Sequence, residues 1–134
     1  MLFFQSQISI MHQEVLVNAA KSLFPLLRGF KNFYLAGGTA LALQLGHRIS
    51  VDFDLFSDEL LPKSLLPEVK SIFAEKKIAV SVDNPGELTV FVDGVKVTFL
   101  NYPYPPRKTL VDFGGLKILN QEEIAATKAY TIGR

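Results

Sequence analysis

The chain has 134 residues, 49% of them hydrophobic, and a formal net charge of +1. That length fits one domain, here read as residues 1–134, and this charge balance excludes a nucleic-acid coat or an acidic tail while leaving room for a local basic face. Lack of cysteine excludes disulfides and thiolate metal sites, and no apolar run approaches the roughly 20 residues that cross a bilayer, so no membrane partner is expected.

The opening Met1-Leu-Phe-Phe-Gln-Ser-Gln is apolar but lacks a basic n-region and a small-residue cleavage site, which reads as no signal peptide and a cytoplasmic protein. Residues 11–27 carry Val15, Leu16, Ala19, Leu23 and Leu26 at helical spacing, predicting a first helix. Pro25 disturbs its last turn and Gly29 ends it. Residues 33–36 read as a short buried strand, broken by Gly37-Gly38. Residues 39–45 then form a short helix closed by Gly46. Residues 51–56 alternate, predicting a strand with Asp52 and Asp54 on one face and Val51, Phe53 and Leu55 on the other.

A helix is expected over 62–76, and a strand over 78–82. Strands at 88–92 and 95–100 flank Asp93-Gly94, a two-residue hairpin signal. The prolines of Tyr102-Pro-Tyr-Pro-Pro require an extended loop. Short edge strands are expected at 109–113 and 116–119, around Gly114-Gly115. Asn120-Gln-Glu-Glu then reads as an N-cap with Glu at N3, opening a last helix over 121–132. Helices and hairpins mixed in this order predict an α+β fold, with a sheet covered by helices largely on one face.

Four features carry chemistry. Asp52 and Asp54, two apart on a strand, project from the same side. The plain alternative is a solvated strand face. Yet the flanking Phe53, Leu55 and Phe56 place the strand inside a sheet, where two like charges are costly unless a cation sits between them. Gly37, Gly38 and Thr39 form a strand-to-helix turn whose backbone N–H groups can hold phosphate oxygens, and the Thr39 hydroxyl suits a helix cap or a phosphate. Arg48 suits a triphosphate oxygen or a salt bridge to Asp52. His47 reads as a structural hydrogen-bonding residue and Ser50 as the entry to the strand. Lys128, among small apolar neighbours on the last helix, is either an exposed helical lysine or a point charge for phosphate.

Taken together, Gly37-Gly38, the His47-Arg-x-Ser-x-Asp-x-Asp-Leu-Phe run and Ala125-Ala-Thr-Lys128 resemble the AbiEii/AbiGii toxin family of nucleotidyltransferases, within the DNA polymerase β-like superfamily. The pattern there is a Gly-Gly or Gly-Ser turn, a gap of about a dozen residues and an acidic–apolar–acidic strand; here 13 residues separate Gly38 from Asp52. The resemblance covers the chain from about Phe33 onward. It implies a nucleotidyltransferase-like mixed, largely antiparallel sheet. It also implies Mg²⁺ on Asp52 and Asp54, with catalysis by these two and Lys128, and a nucleoside triphosphate held by Gly37, Gly38, Thr39, Arg48 and Ser50. RNA, notably the tRNA 3′ end, is the implied acceptor, and an antitoxin protein the implied partner.

Two departures bear on activity. Many superfamily members carry a third carboxylate on a later strand, and Thr98 stands at the expected position on 95–100; Asp93 belongs to the hairpin turn. Family members also continue past Gly133-Arg134 into an acidic segment and further helices. An impaired nucleotidyltransferase-like module that binds nucleotide or a protein partner is therefore the alternative reading. A metal-dependent phosphohydrolase ranks last, because the chain holds only two histidines, His12 and His47.

Overall fold

Strands form where β-branched and aromatic residues cluster. In the computed structural model, which describes residues 11–12, 14, 16, 18–46, 52–107 and 109–124, they make one seven-stranded sheet. Its strands are β1 (Tyr34–Ala36), β2 (Phe53–Ser57), β3 (Ile78–Asn84), β4 (Glu87–Val92), β5 (Val95–Asn101), β6 (Val111–Phe113) and β7 (Leu116–Ile118). They lie in the order β3-β4-β5-β2-β1-β7-β6. The pairs β2/β5 and β1/β7 are parallel and the other neighbours antiparallel, so the sheet is mixed and largely antiparallel, as expected.

One sheet face is apolar and carries Phe53 and Phe99. Against it lie α1 (Asn18–Leu23), the 3₁₀ turn Phe24–Gly29 and α3 (Leu65–Ile72). Phe24 stacks on Phe53, and Phe99 meets the edges of Phe30 and Phe33 at centroid distances of 4.9 and 5.3 Å. Phe30 also packs on Phe73 just past α3. Aromatic pairs in such offset or edge geometry add to the burial of their area.

Several boundaries differ from expectation. The first helix (Asn18–Leu23) ends at Leu23 because Pro25 lacks the N–H that an α-helix needs, and the chain tightens into 3₁₀ geometry. Helix α2 (Gly37–Leu45) starts at Gly37 with Ala36 as its cap, so Thr39 does not cap it. Strand β7 is not an edge: it pairs with β1 through Leu35 and Ile118, leaving only β6 outside it. Strand β3 runs on to Asn84, beyond the expected 78–82, and is the other edge of the sheet. The hairpin at Asp93-Gly94 forms as read, with both residues at positive φ. Asn120 caps the turn at 121–124 through the N–H of Glu122, while the Glu123 carboxylate accepts the N–H of Arg107. The remainder of the expected last helix lies outside the described residues.

Candidate active site

The site is built where β1 turns into α2. Ala36 pairs with Asp54 across β1/β2, so the next residue, Gly37, sits over the Asp54 carboxylate. A Cβ at Gly37 would lie 2.4 Å from Asp54 Oδ2, and its φ of +72° is left-handed. Only glycine meets both conditions. The same turn starts α2, whose first backbone N–H groups have no partner within the helix and point outward from its N-terminus.

Asp52 stands just ahead of β2 and is exposed; Asp54 is half-buried. Burial first, and then the neighbouring Asp52 charge, push the Asp54 carboxyl up to about 6, with Glu87 adding to the rise and Lys96 opposing it. A carboxylate held away from water beside a second carboxylate favours either a proton or a cation. Thr39, buried against the segment before β2, donates its hydroxyl to the Asp52 carbonyl, tying α2 to the segment that leads from Asp52 into β2 and Asp54.

The row through Asp54 continues across the sheet. Thr98 on β5 is its parallel neighbour, and Thr89 on β4 faces Thr98. Thr98 therefore occupies the place where the resemblance anticipates a third carboxylate. Asp93 is turned away: its carboxylate accepts the N–H of Lys77 and lies 3.9 Å from Lys76 Nζ. Glu87, two residues before Thr89 and so on the same face, accepts the Thr89 hydroxyl at 2.7 Å.

Among the described residues no cluster of three or more His, Cys, Asp or Glu side chains could hold a metal ion. Two carboxylates are nevertheless a donor set suited to Mg²⁺, which keeps several waters and takes its other oxygens from substrate phosphates.

The structure thus brings together Asp52, Asp54, Gly37, Gly38 and Thr39. Arg48, Ser50 and Lys128, with His47, lie outside the described residues. Glu87 was missed by sequence reasoning, although the Asp93-Gly94 turn already fixes Thr89 opposite Thr98. What the sequence does not contain is the β2/β5 adjacency that brings this hairpin beside Asp54. A groove of about 450 Å³ lies elsewhere, between residues 60–67 and the β3–β4 turn.

Solved structures share this arrangement of strands and helices. A proposed nucleotidyltransferase of Helicobacter pylori superposes with a TM-score of 0.60 at 21% identity, covering 83% of this chain and 56% of that one. A proposed nucleotidyltransferase of Thermotoga maritima gives 0.53 at 22% identity, covering 86% of each chain. The fold is that of the nucleotidyltransferases. Residues 21–132 match the family model for the nucleotidyl transferase AbiEii toxin of type IV toxin–antitoxin systems, and the chain belongs to that family. An uncharacterized protein of Aquifex aeolicus is 34% identical over 107 residues. That match covers 77% of this chain, which spans about half (51%) of the relative's length.

Proposed function

We propose that the chain is a single nucleotidyltransferase domain, acting in the cytoplasm, that transfers a nucleotide from a nucleoside triphosphate to an acceptor. The observation that carries this reading is the Gly37 turn laid over Asp54 beside Asp52. This proximity of a helix-opening turn to two carboxylates supports a site for a triphosphate and its metal. Asp52 and Asp54 would hold Mg²⁺, which would supply charge neutralisation for the triphosphate. The backbone amides of Gly37 and Gly38 and the Thr39 segment hold phosphate oxygens at the start of α2. Arg48, Ser50 and Lys128 take the phosphate-binding and catalytic roles that the family resemblance gives them. An acceptor oxygen attacks the α-phosphorus and pyrophosphate leaves, with the reactants held in line by these contacts. The acceptor is RNA, tRNA being the first to test, with protein as the second choice, and an antitoxin protein restrains the enzyme.

The test is incubation of the purified protein with each of four α-labelled nucleoside triphosphates and Mg²⁺, with separate RNA and protein pools. Label is expected in one pool, and none with the Asp52→Asn, Asp54→Asn double variant. Equal labelling by that variant overturns the assignment. Thr98, at the place of a third carboxylate, favours a second reading: an impaired module that binds nucleotide or partner without turnover. Triphosphate binding with no transfer into either pool would select it.

A further inference from the structure

Nucleotidyl transfer to a hydroxyl leaves one proton to be placed, and Thr98, the neighbour of Asp54, cannot hold it as a carboxylate does. The row continues past Thr98, however. Thr89 Oγ1 lies 3.3 Å from Thr98 Oγ1 and 2.7 Å from Glu87 Oε2. A threonine hydroxyl has one proton to donate. Thr89 gives it to the carboxylate, the shorter and charge-assisted partner. Thr98 is then the donor to Thr89, and its own oxygen remains an acceptor on the Asp54 side of the row. Thr89 and Thr98 are only 2% and 9% exposed, so bulk water does not interrupt the chain, while Glu87 is half-buried and can exchange with solvent.

We propose that Thr98, Thr89 and Glu87 form a proton path that replaces the third carboxylate, with Glu87 as the terminal proton acceptor. This rests on the nucleotidyl-transfer reading above. As the acceptor oxygen bonds to the α-phosphorus, its O–H bond breaks and the proton passes to Thr98 Oγ1. The Thr98 proton moves to Thr89 Oγ1, and the Thr89 proton to Glu87 Oε2. The bond from the α-phosphorus to the bridging oxygen breaks, and its electron pair leaves with pyrophosphate. Glu87, now neutral, returns the proton to water. Among the described residues, the charged groups sharing this sheet face are Lys96 on β5 and Asp54, with Asp52 just ahead of β2; β3 sets neutral Asn84 opposite Glu87.

The test uses the full chain, total tRNA, a mixture of the four nucleoside triphosphates and Mg²⁺, with single-turnover pyrophosphate release as the signal. Glu87→Gln and the isosteric Thr89→Val are expected to slow release by about 100-fold or more, within the range of general-base effects. Triphosphate affinity stays within about twofold, because neither residue holds phosphate. Glu87→Asp recovers part of the rate. The solvent deuterium effect, which in the wild type reports several protons in flight, drops to that of one proton in Thr89→Val. In the protein without metal or nucleotide, the Thr89 hydroxyl proton is slow to exchange by NMR and becomes fast in Glu87→Gln. Wild-type rates in both Glu87→Gln and Thr89→Val overturn the path while leaving Asp52 and Asp54 in their roles. Should Glu87→Gln fold poorly, Thr89→Val and Glu87→Asp decide. No pyrophosphate release by the wild type overturns the transfer reading and the path with it, whatever the NMR result.

Discussion

Alanine at position 37 meets two obstacles at once: a backbone at φ +72° and the Asp54 carboxylate 2.4 Å from its new methyl group. Gly94 is the control, since its φ is +82° but nothing lies within 4 Å. Gly94→Ala is expected to lower stability by about 1 kcal/mol, the cost of left-handed backbone alone. Gly37→Ala should cost more, about 2–4 kcal/mol, and also abolish triphosphate binding. Urea denaturation of both variants, with nucleotide titration, checks the contrast. Asp54 supports a second prediction. Its carboxyl is raised to about 6 by burial and by Asp52, above the value near 4 of an unfolded chain. A raised carboxyl favours the fold while protonated, so its contribution is lost as pH rises from about 4 through 6. Asp54→Asn is therefore expected to stabilise the metal-free protein at pH 7.5 by up to about 2 kcal/mol, and to change little at pH 4. Melting temperatures at the two pH values test the sign. Divalent cation should bind the wild type more weakly as pH falls below about 6, because the proton competes for the same oxygens.

Asp54 on β2 and Asp52 just ahead of it are tied to the start of α2 through the segment that precedes the strand. Thr39 does this by donating to the Asp52 carbonyl from a buried position. Thr39→Val keeps the shape but leaves that carbonyl without this donor, at a cost of about 1–2 kcal/mol. Thr39→Ser should restore most of it. If Thr39→Val melts at the wild-type temperature, the tie contributes nothing and Asp52 is positioned otherwise. The elements themselves were legible to unequal degrees. The Asp93-Gly94 hairpin and the strand carrying Asp54 announced themselves through turn chemistry and alternation, both of which are local. Pro25 was visible, but its conversion of the last helical turn to 3₁₀ geometry depended on Phe24 and Leu27 reaching the core. The start of α2 at Gly37 rather than Thr39 was hidden because the turn is shaped by Asp54, 17 residues later in the chain.

The order of the sheet is where sequence reading ends. Both parallel pairings, β2/β5 and β1/β7, join strands far apart in the chain, and no local periodicity encodes them. They come from the shared apolar face, and Phe99 is its centre. It lies at the middle of β5, has no exposed surface and touches the rings of Phe30 and Phe33. The same strand presents Thr98 to Asp54 on the other face. Packing on one side of β5 therefore sets the register of the row on the other, because a slip of one residue exchanges the two faces. Phe99→Ala is expected to cost about 3–5 kcal/mol, through lost burial and the cavity it leaves. That is a large share of the marginal stability of a domain this size. Phe91, 38% exposed on the opposite side of the neighbouring strand, offers the comparison. Phe91→Ala should cost less than about 1 kcal/mol. Phe99→Leu retains most of the volume and should fall between the two. Urea midpoints rank the three variants, and nucleotide affinity in those that remain folded reports the row. A Phe99→Leu protein that folds but binds triphosphate about tenfold more weakly would show the core holding the register of the site. Unchanged affinity would show that β5 keeps its place through its ladder hydrogen bonds alone.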